Sequence, residues 1–579
     1  MTDTTEKELR LERGSAIIGY IRRFSATEKA VFAVFVILAA ATALLMAEAV
    51  NDHFMKEVPA AGGALHEGLV GLPHTINPVL AVTDADRDLS ALVYAGLTRY
   101  EDGKIEPGLA SSWKASSDGL TYTFDLAPGL SFQDGTPLTA ADVVFTVGKI
   151  QDPALKSPLA ADWANVTATA TSPTEVEFIL KQPYGSFPAN ATVGILPKHI
   201  WDKVSDDQFV YSQYNIDPIG AGPYKVTSLS RDQGGIPTGC RLDAWNGYAG
   251  AKPYIKSIFF AFFPDQDHAL AALDNGSIDS LPSVPADAAA KLASNAGEPY
   301  RIIAAPLSRV FGVFFNQSNN PVLADDSVRQ ALSMAVDRQA IVSSSLYGYG
   351  VPLDGPLPPG ISAVGPVSQP DIAGAQALLE KDGWRPGPDG VMAKASKSGG
   401  KAVSQTLSFT LYTADAPDLK QTAQSLSDGW AKIGASVSIK VFDPSDLYQT
   451  VIRTRSYDAL LFGEAVGRDS DVYAFWHSSE RNSPGLNIAM YANSKADKLL
   501  QSIQSESDPA ARSADYAALD KTIKADYPAI FLYAPDFIYA LPKSVKDARI
   551  GTMTAPADRW ASEASWYMDT ERVWTIFDR

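Results

Sequence analysis

Six histidines (His53, His66, His74, His199, His268 and His477) and a single cysteine, Cys240, are the side chains best suited to metal binding, proton transfer and nucleophilic attack. They are scattered singly along the chain, and each histidine reads as a surface or satisfied core residue. A lone cysteine forms no intramolecular disulfide and supports no multi-cysteine metal site, and in the run Thr238-Gly239-Cys240-Arg241 it reads as a small buried residue. The sequence has no phosphate-cradling Gly-x-x-x-x-Gly-Lys-Ser/Thr loop, no Gly-x-Gly-x-x-Gly after a strand, no Gly-x-Ser-x-Gly elbow and no His-Glu-x-x-His helix. Carboxylates are plentiful, 66 Asp plus Glu, but no spacing singles out an acid and base pair. Binding is the chemistry that remains. The 10 Trp, 23 Tyr and 24 Phe suffice to furnish a ligand cleft, although most aromatics at this frequency are core. No catalytic residue and no cofactor is expected.

The elements that position such a cleft belong to a large chain. Its 579 residues, 46% hydrophobic and 20% charged, bury a sizeable core and suggest two to four domains. A formal charge of -17 repels phosphate backbones and argues against a nucleic-acid partner. Residues 30–47 are uncharged and almost wholly apolar, enough to span about 27 Å as a helix. Arg22, Arg23 and Lys29 precede them and Glu48 and Asp52 follow, so residues 1–29 stay cytoplasmic and everything after Val50 lies outside. The segment 30–50 reads as a retained transmembrane anchor, or as a signal core cleaved near Ala49 in the small-x-small run Ala47-Glu48-Ala49. Residues 51–63 read as a short linker.

Beyond the linker, partial alternation over 121–126 followed by Pro128-Gly129 and Asp134-Gly135 reads as an antiparallel meander. Thr139 with Asp142 forms a short-armed capping box, opening a helix that turns Val143, Val144 and Val147 inward. The second half alternates helices and strands, the pattern of α/β layering on a largely parallel sheet. Helices start at Asp325 and Asp371 and run over 495–505 and 509–526; a strand at 436–442 turns Val437, Ile439 and Val441 to one face, and separate apolar strands follow at 529–533 and 537–541. The stretch 394–401, rich in Ser and Gly, reads as flexible.

The runs Thr75-Ile76-Asn77-Pro78, Leu92-Val93-Tyr94-Ala95-Gly96-Leu97-Thr98-Arg99-Tyr100 and Pro107-Gly108-Leu109-Ala110-Ser111-Ser112-Trp113 closely resemble the start of the extracytoplasmic solute-binding proteins, family 5, the peptide and nickel receptors of ABC importers. The similarity continues through Asp134-Gly135-Thr136-Pro137-Leu138-Thr139-Ala140-Ala141-Asp142, Gly220-Ala221-Gly222-Pro223-Tyr224, Val328-Arg329-Gln330-Ala331-Leu332 and Asp526-Tyr527-Pro528-Ala529-Ile530-Phe531, roughly residues 65–545. The resemblance implies a two-lobed α/β periplasmic binding protein of type II with an extra inserted domain. Lobe I would combine 64–85, 196–310 and 530–579, the inserted domain 86–195 and lobe II 311–529. Hinge crossings would fall near 311–316 and 529–533.

By that resemblance the chain would be a monomeric receptor that captures oligopeptides or a related small solute by closure and delivers it to ABC importer permease subunits. A membrane-anchored sensor or assembly partner built on the same binding fold is the alternative. Peptide receptors of the family carry a Trp and then an amine-holding Asp after the strand at 460–463. Here Glu464 falls at the Trp position and Gly467 at the Asp position, so Glu464, Asp469 or Asp471 would have to substitute. Each also reads as a plain loop carboxylate. Asn77 and Tyr94 in the matched lobe I motifs, and Tyr412 and Thr413 at a lobe II strand end, complete the candidate ligand-binding set, with core or turn packing as the other reading of each. Arg468 and Trp476 are weaker candidates, offering a carboxylate fork and a stacking surface.

Overall fold

A computed structural model describes residues 24–574 except 296, 298, 362–364 and 399–400. Residues 1–23 of the expected cytoplasmic segment thus lie outside the described residues. The chain divides into two compact units, one of Met1–Ala60 with Asp569–Arg579 and one of Ala61–Met568.

In the first unit, helix Ala26–Phe54 opens on a capping box: Ser25 N–H donates to Glu28 at 2.8 Å, and Glu28 N–H donates to the Ser25 hydroxyl at 3.3 Å. The helix is long and apolar enough to cross a membrane, and none of its residues is buried. Strand Met55–Ala60 follows directly and pairs antiparallel with strand Asp569–Trp574. Two expectations are corrected here. Residues 55–60 are strand instead of loose linker, and Asp569–Trp574 belongs with this unit instead of lobe I.

In the second unit the elements organise around two large apolar cores and a small one. One large core gathers residues between Leu65 and Leu307 with Phe537 to Trp566. It lies under a four-stranded sheet in the order Gly62–Val70, Ile255–Phe263, Pro237–Ala244, Tyr224–Arg231, and under an antiparallel sheet of Ala110–Ala115, Thr121–Leu126, Glu175–Leu180 and Val166–Ser172. Alternation sets the second sheet's face, since Tyr122, Phe124 and Leu126 are buried while their neighbours are half-buried. Helix Ala140–Gln151 begins as the sequence implies, with Asp142 accepting the Thr139 N–H at 2.8 Å; Val143 and Val147 are buried and Val144 half-buried.

The other large core runs from Val310 to Ala534. Helices Asp326–Met334, Ile372–Lys381, Pro417–Ala431, Ser494–Ser505 and Pro509–Asp526 cover a seven-stranded sheet. Asp325 accepts from Ser327 N–H and Asp371 from Gly374 N–H, the caps expected at those helix starts. The sheet is mixed instead of largely parallel: Ser408–Ala414 pairs parallel with Ser436–Phe442 and with Ala459–Ala465, while Arg309–Phe315 pairs antiparallel with both its neighbours. Strand Ser436–Phe442 is an edge, and of the residues expected on one face Val437 and Ile439 are half-buried while Val441 is exposed. Strands Met392–Ser398 and Lys401–Thr406 pair antiparallel where the stretch 394–401 was expected to be flexible, residues 399 and 400 lying outside the described residues.

The two expected strands after residue 529 are one, Ala529–Pro542. Its first part pairs with Arg309–Phe315 and its last part with Tyr300–Pro306. The partner change puts the crossings between the two large cores at residues 307–308 and 534–536, short of the expected 311–316 and past 529–533.

Candidate functional site

A cavity of about 980 Å³ opens between the two large cores, at the upper end of the range for sites that enclose small ligands. Four stretches build most of its wall. Helix Asp84–Val93 and the following turn bring Arg87, Ser90 and Tyr94, and the short helix Ala160–Trp163 brings Asp162. The loop after strand Ala459–Ala465 brings Arg468, Asp469 and Asp471, and the 3-10 helix Pro556–Ser565 brings Asp558, Trp560 and Glu563.

The loop from 466 to 472 is held by its own acids. Val466 N–H donates to Ser308 carbonyl at 2.9 Å, beside the crossing. Asp469 accepts the Asp471 N–H at 3.2 Å, and Asp471 accepts the Tyr473 N–H at 2.8 Å, starting the next helical turn. The outer oxygens differ in use. Asp471 takes Gln504 at 2.7 Å, while Asp469 takes the hydroxyl of Tyr184, a residue packed on the other large core, at 2.6 Å. Burial pushes the Asp471 carboxyl up, and burial followed by the nearby Asp469 charge does the same to Asp162. Burial and this group of acids together push the Tyr184 hydroxyl far above its ordinary range.

Arg468 spans the cavity in the other direction. Its guanidinium donates to Asp558 Oδ1 (3.1 Å from Nε) and to the Thr192 hydroxyl (3.0 Å), and lies 5.9 Å from the Tyr100 ring centroid. Burial works against the Asp558 charge, but Arg468 and the Thr554 hydrogen bonds outweigh it and hold the carboxyl below its ordinary value. The next residue on the same 3-10 helix, Arg559, points into the interior. It meets Glu67 at 2.5 Å and Asp88 at 2.6 Å, all three wholly buried, and Tyr539 donates to the far oxygen of Glu67. Burial pushes Asp88 up to about 6 despite Arg559. Glu563, also buried, is pushed up to about 7.

Of the candidate ligand residues, the structure brings Tyr94, Asp469 and Asp471 to the cavity, with Arg468. Among the described residues the Tyr94 hydroxyl and the Trp560 indole N–H have no hydrogen-bond partner, and both atoms are buried behind the cavity surface. Asn77, Tyr412, Thr413, Glu464 and Trp476 do not line it. Asn77 is wholly buried, donating to Asn215 at 3.0 Å and accepting from Val79 N–H at 3.0 Å. Tyr412 stacks on Phe442, and Thr413 donates to Leu461 carbonyl at 3.2 Å. Trp476 is packed among Phe314, Tyr491 and Phe531. Glu464 is buried in the sheet with Oε1 unpartnered, and burial raises its pKa well above the ordinary carboxylate value. Sequence reasoning missed Asp162, Tyr184, Asp558 and Glu563. For Asp558 a local signal exists, Pro556 at the first helical position with an acid two residues on. Among the described residues no group of three or more His, Cys, Asp or Glu is placed to hold a metal ion.

The family model for the middle part of bacterial extracellular solute-binding proteins, family 5, matches residues 104–485. Oligopeptide-binding protein AppA of Bacillus subtilis (strain 168) is 30% identical over 503 residues, covering 84% of this chain and 89% of the relative. The structure of that protein with a nonapeptide superposes with a TM-score of 0.65 at 28% identity, covering 88% of this chain and 100% of the other. The ABC transporter substrate-binding protein CtaP of Listeria monocytogenes superposes with a TM-score of 0.73 at 28% identity, covering 88% and 99%. Together with the two-lobed architecture and the cavity between the lobes, these matches make the chain a member of the bacterial extracellular solute-binding proteins, family 5.

Proposed function

We propose that this receptor captures an amine-bearing solute of the oligopeptide class in the cavity between its lobes, without turning it over, and hands it to an ABC importer. The lobes would follow the partner change of strand Ala529–Pro542, with residues 309–534 as lobe II. Asp469 holds the cationic end, helped by Asp162, while Arg468 faces the ligand's carbonyl and carboxylate oxygens. One observation carries this reading. The acids Asp162, Asp469 and Asp471 and the guanidinium of Arg468 line one cavity between the two cores, offering a bound solute carboxylates for a cationic group and a cation for its oxygens. Because the ligand touches both walls only when they close, its differential affinity shifts the protein to the closed form that a permease reads. The relative known to hold a nonapeptide supports the peptide class.

In this reading helix Ala26–Phe54 is a retained anchor, and the charge order across it puts a monomeric receptor on the outer side of the cytoplasmic membrane.

Native mass spectrometry of the receptor purified from its own host without refolding, followed by release of what it retains, tests the ligand class. A heterogeneous set of short peptides is expected. A single sugar or other neutral molecule overturns it. Calorimetry of Asp469→Asn with a released peptide is expected to show binding weakened at least tenfold, and unchanged affinity removes Asp469 from the role given to it.

A further inference from the structure

Residues 569–574 lie nearly the whole chain away from the apolar helix, yet they are paired rung for rung with the strand that leaves it, from Met55 with Trp574 to Ala60 with Asp569. An isolated two-stranded ribbon is marginal in water. This one is also fastened to the helix end. The Trp574 indole N–H donates to Asn51 at 2.9 Å, the Trp574 and Phe54 rings stack at 5.9 Å and 11°, and Arg572 meets Asp52 at 3.0 Å. All three helix partners belong to the last turn of Ala26–Phe54.

We infer that strand Asp569–Trp574 is the second half of a membrane tether, so that the receptor is joined to its anchor by a hydrogen-bonded ribbon and not by a single linker. The inference rests on the anchor reading proposed above. Its lipid-facing part is the stacked pair Phe54 and Trp574, which stay 43% and 37% exposed. Phe54 stands seven residues, or about 10 Å of helix, beyond the apolar run. That is headgroup level, where amphipathic aromatic rings settle.

The same geometry bears on processing. The helix runs unbroken through Ala47-Glu48-Ala49. Cleavage after Ala49 would leave Asn51, Asp52 and Phe54 on a stub too short to remain helical, and strand Asp569–Trp574 would lose its three fastenings at once. Both connections to Ala61–Met568 leave from the ribbon's last rung, Ala60 with Asp569. A cut in one strand therefore leaves the other still joined to the receptor.

The test uses the full chain in its own membrane, with paired cysteines at two rungs, Val58→Cys with Glu571→Cys and Glu57→Cys with Arg572→Cys. Antiparallel partners lie about 5 Å apart, within disulfide reach. Native Cys240 is buried and does not compete. Mild oxidation is expected to link most chains at one rung or the other, read by peptide mass spectrometry. A second variant that stops after Met568 is expected to release its receptor to a lysine-specific protease, which cuts at Lys56 and has no site in Asp569–Trp574, at least tenfold faster than the full chain, with peptide binding unchanged in both. An intact mass lacking residues 1–49 overturns the anchor reading and the tether with it. A full mass with no disulfide at either rung, or equal release rates, overturns the tether alone.

Discussion

Asp558 and Arg559 are neighbours on one 3-10 helix, yet each makes a different kind of ion pair. Asp558 meets Arg468 across the cavity, with the arginine side chain a third exposed. Arg559 meets Glu67 and Asp88 inside one core, with all three side chains 1% exposed or less. Water can take over the first pair's arginine when the walls part, so opening the cavity costs little. No water reaches the second, and separating it would leave bare charge in a low-dielectric interior. One residue step along the chain thus divides a contact built to open from a contact built to stay shut.

The sharpest way to break this comparison is Arg559→Met, which leaves two buried carboxylates facing each other. A loss of about 3–5 kcal/mol of stability is expected in thermal or denaturant unfolding. Adding Glu67→Gln and Asp88→Asn should recover more than half of it, whereas a loss below about 1 kcal/mol would show that the buried group is not charged as drawn.

Acid separates the two pairs next. Asp88 has its folded pKa raised from 3.8 to about 6, so the stability linked to it is fully present below 3.8 and lost as pH rises through about 6. Asp558 is lowered, so its contribution is present above 3.8 and lost only as pH falls further. Acidifying from pH 8 to pH 5 should therefore stabilise the protein, by roughly 1 kcal/mol from Asp88. Glu563 and Asp536, pushed up to about 7 and about 6, act in the same direction. The difference between wild type and Asp88→Asn isolates the share of Asp88, and parallel melting profiles for the two would refute the assignment.

Arg468→Ala is expected to leave the melting temperature within about 2 °C while ligand dissociation, followed by stopped flow, quickens about tenfold. A large fall in melting temperature with unchanged dissociation would make this pair structural, like its neighbour. The smallest effect expected is that of Tyr184→Phe, which removes the hydroxyl bonded to Asp469 and should weaken binding about two- to fivefold.

What could be read from sequence follows the range of the interaction. Caps at Thr139, Asp325 and Asp371 act over two or three residues, and each stands where the sequence implies. Strand Ala529–Pro542 was legible only as two pieces because Pro535 and Asp536 are turn-forming residues. The structure uses them where the strand changes partners, a place where a missing N–H is tolerated. The cavity was legible least. Arg468 and Asp558 are 90 residues apart and Tyr184 and Asp469 are 285 apart, with no local pattern to link them. For Tyr412 and Thr413 the sequence left ligand contact and packing both open, since position along a strand says nothing of what its side chains meet; Thr413 is wholly buried and Tyr412 half-buried against Phe442.

That long strand also sets an order of assembly. Among the described residues the sheet pairs Tyr300–Pro306 with this strand, and Arg309–Phe315 takes it as one of two neighbours, so neither pairing forms until the chain has been made past residue 529 and the first is complete only at residue 542. Most of the polypeptide is therefore synthesised before the sheet at the crossing can close, so the nascent chain stays incompletely folded late into synthesis. For a protein that works outside the cytoplasm this is useful timing, because a chain threaded through a membrane must pass before its tertiary structure is sealed.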